Sequence, residues 1–244
     1  MKIKGHNFFQ NSIFSALMAG DLFGSITFEE LLQHGNFGLG TFDATDGELI
    51  LLDGKPYQIL ASGDVKTVSN QMTSPFATVT NFISDVKLEF KNIDFSQLKQ
   101  QLEVKFPSDN IFYALKMVGT FSKISVRSLS KQKPPFKPLK EAAKTQSEVH
   151  LTNISGDIVA YWGPNFANMI LVPGFHAHFI SANRKLGGHI FDFHAQNLTV
   201  EISYLTNLNL KLPVTESYLQ HQVDQVGIQA DIAKVESQSS KTRS

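Results

Sequence analysis

Hydrophobic positions recur every second residue through most of this chain, the period of a half-buried β-strand. Gly119–Arg127 alternates in this way, and Pro75–Ile83, Val86–Phe90, Val149–Ile154, Gly156–Trp162, Ile170–Pro173, Gly174–Ser181, Gly188–His194 and Leu198–Leu205 read as further strands. Asp46-Gly47 and Asp53-Gly54 divide Phe37–Leu60 into three strands joined by tight turns. Helical spacing is confined to short pieces. Phe8–Met18 carries Phe9, Ile13 and Leu17 at helix-compatible intervals. Thr27–Gly35 has Thr27 as N-cap, Glu30 at the capping-box position and Gly35 as stop. Phe95–Phe106 places Leu98 and Leu102 on one face, and part of Thr215–Val235 is expected to be helical. Asn110–Met117 fits either class, and Lys131–Leu139, rich in proline and lysine, reads as a loop. The expected fold is α/β (α+β) with β predominating: two mixed β-sheet subdomains and a few short helices. An N-terminal domain over residues 1–130 would join a C-terminal β domain over 131–244 near the Pro134–Pro138 loop.

Composition narrows the chemistry. Lys+Arg and Asp+Glu both total 22 in 244 residues, and the sequence pI is near 7.1, so nothing electrostatic points to nucleic acid or an anionic membrane as partner. The 20 phenylalanines, against one tryptophan, suit a strand-rich core. Cysteine is absent, which excludes disulfides, thiolate catalysis and thiolate-bound metal. A transition metal must then be held by histidine with aspartate or glutamate, a donor set suited to catalytic sites. The start of the chain lacks the apolar segment of a signal peptide, and no apolar run reaches the roughly 18 residues of a membrane span. A cytoplasmic location is expected.

One stretch concentrates candidate chemistry: Pro173-Gly-Phe-His-Ala-His-Phe-Ile-Ser181, followed by Gly187-Gly-His189. Residues two apart on a strand share a face, so His176 and His178 point one way while Phe175, Ala177 and Phe179 point the other. Ser181–Gly187 has turn composition. If Ser181 pairs with Leu186, His178 lies opposite His189, and three imidazoles fall within roughly 5–7 Å of one another. Three neutral imidazoles with an open fourth position form the usual layout of a catalytic zinc site. His194 has the wrong parity to join them, and His6, His34, His150 and His221 are isolated. The spacing supports zinc without naming a reaction. Another three-histidine zinc hydratase or hydrolase, or a cupin-like metal-binding protein, remains open at this point.

Several segments, in order along the chain, resemble the α-acetolactate decarboxylase family. They are Glu30–Glu48, with His34-Gly-Asn-Phe-Gly-Leu-Gly-Thr-Phe42, Leu52–Gln58, Phe112–Leu115 with Gly119–Phe121, and the histidine stretch itself. The resemblance implies zinc-dependent conversion of 2-acetolactate to acetoin and CO2, with the metal on His176, His178 and His189 of the C-terminal hairpin. It implies that Arg127 matches the family's essential arginine and Glu48 its N-terminal active-site glutamate. Glu236 is the best match for a glutamate returning from the C-terminal tail. Ser130-Lys-Gln replaces the family's usual Pro-Arg-Gln after the arginine. The resemblance also implies a homodimer acting on a small-molecule substrate.

Overall fold

Thirteen strands and five short helices make up residues 3–220, the part of the chain that the computed structural model describes. In order they are β1 (His6–Asn11), α1 (Phe14–Ala19), β2 (Ile26–Thr27), α2 (Phe28–Leu31), β3 (Phe37–Thr41), β4 (Glu48–Leu52), β5 (Lys55–Ile59), β6 (Val65–Thr67), β7 (Thr73–Ser74), β8 (Ala77–Thr80) and β9 (Val86–Asp94). Then come α3 (Phe95–Lys105), β10 (Phe112–Ser128), α4 (Leu139–Ala142), β11 (Ser147–Gly163), β12 (Gly174–Ser181), β13 (Gly187–Lys211) and α5 (Glu216–Leu219). The fold is β-rich with few short helices, as the alternation implied. No helix among the described residues is long and apolar enough to cross a membrane.

The sheet is mixed, because β1 runs parallel to the end of β13 and antiparallel to β8. From β8 the path continues through β3, β4, β5 and β6. On the other side, β10 and β12 each pair with both β11 and β13, so these four strands close into a ring. The expected boundary near residue 130 falls just after β10, whose partners β11 and β13 both follow it.

Alternation along β11 and β12 separates two cores. Ile158, Ala160, Trp162, Ala177 and Phe179 face the inside of the ring, where Phe121 and Phe193 stack edge-on against one another. Val159, Tyr161 and Ile180 face the opposite way, onto Phe37, Leu39, Ile50 and Ile59 from the N-terminal strands. His176 and His178 have the parity of this second face. They therefore point at the seam between the ring and β4 rather than into a greasy interior.

Most turn and cap chemistry follows the sequence. Asp53 and Gly54 both take positive φ, 51° and 77°, as a two-residue hairpin turn requires. The Thr27 hydroxyl caps α2 by accepting from the Glu30 amide, and α3 begins with an Asp94/Gln97 capping box. Two segments differ from expectation, and a third, left open between helix and strand, is decided. Phe8–Asn11 is strand, not helix, and only Phe14–Ala19 is helical: Phe8 and Phe9 face two different cores, which in one dimension imitates helical spacing. Ile170–Pro173 forms no strand; the carbonyls of Met169 and Ile170 instead accept the Ser15 and Phe14 amides at the start of α1. Asn110–Met117 resolves to strand from Phe112, continuous with Gly119–Arg127 as the single strand β10.

Candidate metal centre and its cavity

The hairpin forms in the register that the turn dictates. The Ser181 amide donates to the Leu186 carbonyl at 2.8 Å, and His178 stands directly opposite His189. On its other edge β13 pairs with β10, where His189 is opposite Arg127. His178, His189 and Arg127 thus form one row across three adjacent strands, which is why residues far apart in sequence share a face. Gly187 and Gly188 make this close approach possible. A Cβ on Gly187 would sit 2.4 Å from the Phe179 carbonyl oxygen, and one on Gly188 would sit 2.6 Å from the Arg127 carbonyl oxygen.

The three imidazole rings make a near-equilateral triangle, with centroids 4.8, 5.1 and 5.3 Å apart. One ligand nitrogen from each lies within 4.8 Å of the others. His178 Nδ1 is 2.9 Å from the Leu49 carbonyl oxygen, which can only accept, so Nδ1 carries the proton and Nε2 keeps its lone pair. Such an outer partner fixes the ring and its tautomer as at metal-binding histidines generally. His178 Nε2 lies 3.1 Å from His176 Nε2. Two nitrogens bound to one tetrahedral zinc at roughly 2.0–2.1 Å would stand about 3.3 Å apart, so this pair already has the necessary spacing.

The electrostatics favour neutral rings. Burial pushes the His178 pKa down to about 4 against the opposing pull of the Leu49 hydrogen bond, with Arg127 lowering it further. Burial and then neighbouring charge also hold His176 and His189 well below the ordinary histidine range. Unprotonated nitrogens at neutral pH are what a metal needs. The donor set fits a divalent ion of the zinc type.

Two charged groups complete the wall. Glu48 opens β4, is almost fully buried, and brings Oε2 to 3.5 Å from His178 Nε2. It sits next to Leu49, so one segment of β4 supplies both the outer partner of His178 and a carboxylate beside it. Arg127 is buried at the end of β10, with Nη2 3.4 Å from His189 Nε2, Nη1 donating to Gln146 Oε1 at 3.0 Å, and its guanidinium carbon 4.5 Å from the centre of the Phe191 ring. Glu48, Arg127, Gln146, His176 and His189 line one cavity of about 60 Å³. Its remaining wall is mostly apolar, with Phe14 and Leu17 of α1, Phe76, Leu129 and Leu139.

A family model, alpha-acetolactate decarboxylase, matches residues 8–225. The chain belongs to the alpha-acetolactate decarboxylase family. It is an enzyme of the carboxy-lyase class. It is 37% identical over 229 residues to the alpha-acetolactate decarboxylase of Bacillus licheniformis, covering 93% of this chain and 90% of that one. The same identity holds over 230 residues with the Methanosarcina mazei protein of that name, across 93% of this chain and 79% of that one. The fold superposes on the crystal structure of alpha-acetolactate decarboxylase from Bacillus subtilis strain 168 with a TM-score of 0.93 and 35% identity, over 95% of this chain and 100% of the other.

Of the six site residues expected from sequence, His176, His178, His189, Arg127 and Glu48 come together here. Glu236 lies outside the described residues. Gln146 and the apolar wall escaped sequence reasoning. Gln146 sits in a polar stretch with nothing to distinguish it, and Phe14, Leu17 and Leu139 reach the site only because α1 and α4 pack together.

Proposed function

We propose that the chain decarboxylates 2-acetolactate to acetoin and CO2, using a divalent metal, zinc by donor chemistry, on His176, His178 and His189. The observation that carries this reading is the conjunction of three neutral, converging imidazoles with a buried guanidinium and a buried carboxylate: His176, His189, Arg127 and Glu48 line one small cavity, and fully buried His178 stands against His176 and Glu48. His176, His178 and His189 would hold the divalent ion, which when bound would supply Lewis-acid stabilisation for the charge that develops on the ketone oxygen as CO2 leaves. Arg127 binds the departing carboxylate, since a guanidinium stays protonated and offers paired donors to two oxygens. The bond from the carboxyl carbon to the carbinol carbon breaks, its electron pair moves onto the ketone, and the carbon then takes up one proton. Glu48 is the cavity carboxyl suited to hold the substrate hydroxyl and pass a proton. Phe14, Leu17, Phe76 and Leu139 shelter the reacting groups from bulk water and raise the worth of each charge.

The test is to incubate the protein with 2-acetolactate and measure acetoin, with and without a chelator, alongside elemental analysis. Chelator-sensitive acetoin with about one divalent ion per chain is expected. No acetoin, or acetoin indifferent to chelation, sinks the reading. The family resemblance further supports a homodimer, which light scattering of the purified protein checks.

A further inference from the structure

An arginine that must meet a carboxylate needs its guanidinium held, because four rotatable bonds otherwise spread it over many positions. In this site Gln146 is placed to contribute to that. Arg127 Nη1 donates to Gln146 Oε1 at 3.0 Å, while the guanidinium packs on Phe191 and turns Nη2 toward His189. Gln146 stands where a short 3-10 turn, Ala143–Thr145, meets β11, and the next two residues pair with Ser128 and Arg127 themselves. The amide group therefore comes from backbone that is tied to the strand it serves. It also lies on the cavity wall with Arg127 and His189.

The chemical type of the partner matters as much as its position. A carboxylate would hold a guanidinium more tightly, but it would cancel the charge that attracts an anionic substrate. An amide oxygen accepts the same hydrogen bond and adds no negative charge of its own. We infer that Gln146 is a positioning residue of this enzyme: it fixes the Arg127 guanidinium through a neutral acceptor, and so sets affinity for the substrate carboxylate. This inference rests on the proposed role of Arg127.

Gln146→Ala removes the anchor, and Gln146→Glu keeps an isosteric acceptor but adds a charge. Both are to be measured with metal loaded, in the acetoin assay, with metal content and Tm recorded in parallel. Both should retain wild-type metal stoichiometry. KM should rise on the order of 10–100-fold for Gln146→Ala, the range for losing a hydrogen bond to a charged group. It should rise at least as much for Gln146→Glu, although that variant can still bond Arg127. In an Arg127→Ala background the further change Gln146→Ala should alter kcat/KM less than about twofold, because Gln146 acts through Arg127. Wild-type kinetics in Gln146→Glu overturn the inference, whatever Gln146→Ala does, since they would show that the neutral acceptor is immaterial. So would additive losses in the Arg127→Ala background, or joint loss of metal and activity in both single variants. A wild-type protein that makes no acetoin defeats the parent reading instead, so the two failures are distinguishable.

Discussion

His178→Ala is the sharpest perturbation, because this ring does two things at once. It is fully buried, its Nε2 faces His176 and Glu48, and its Nδ1 donates to the Leu49 carbonyl. Truncation removes one of the three proposed metal ligands and loosens β4 from β12. In metal-free protein the lost hydrogen bond and the space left by the ring should cost about 1–3 kcal/mol. The larger signal lies in linkage to metal. An ion present at about 100 times its Kd stabilises the folded state by about 2.7 kcal/mol. For a chain of this size each kcal/mol moves Tm by about 2–4 °C, so wild-type protein should gain about 5–11 °C on metal addition after chelation. His178→Ala should gain almost none at the same concentration, and elemental analysis after dialysis should find it well below one ion per chain. Differential scanning calorimetry with stepwise zinc addition is the assay. A His178→Ala protein that holds one ion per chain and shows the wild-type shift refutes the three-histidine site.

Arg127→Ala should keep stoichiometric metal, because Arg127 is not among the converging ligand groups, yet lose at least about 100-fold in kcat/KM for acetoin formation; loss of metal in parallel would contradict this. Metal-free wild type should lose stability in acid. His178 titrates near 4 when folded against about 6.5 unfolded, so the unfolded chain takes up the proton first as pH falls. The His178 contribution is intact above about pH 6.5 and declines toward about pH 4, and His176 and His189, also held well below the ordinary range, add to the loss in acid; chemical denaturation at stepped pH reads the combined decline, and no decline below about pH 6.5 would count against it. Gly188→Ala drives a Cβ against the Arg127 carbonyl and Val126, so it should cost about 1–3 kcal/mol and reduce activity by displacing His189 and Arg127 together. Urea unfolding and the acetoin assay check it, and an unperturbed variant would show that the strands are not so tightly opposed.

Local rules carried much of this protein by sequence alone. The two-residue period made it β-rich, the Asp-Gly pairs marked turns, and Thr27 announced α2. The histidine hairpin was legible to the register, because parity on a strand and the length of a turn are both local quantities. The family-specific segments added Glu48 and Arg127, which spacing alone would have left as ordinary surface charges. Only the tertiary structure decided how these parts meet. Arg127 joins the histidines because β13 has β12 on one edge and β10 on the other, a pairing between strands about sixty residues apart. Glu48 arrives because β4 packs on the histidine face of β12, so that the neighbouring Leu49 carbonyl can orient His178. Gln146 and the apolar wall depend on contacts between α1, α4 and the strand ends, which leave no periodic trace in the chain. Phe8–Asn11 shows the same limit from the other side. Residues packed against two cores at once lose the alternation that identifies a strand, and the ladder with β8 and β13 decides their conformation. Hydrophobic period reports one buried face at a time; a seam between two cores, where this cavity lies, is set by what docks from elsewhere.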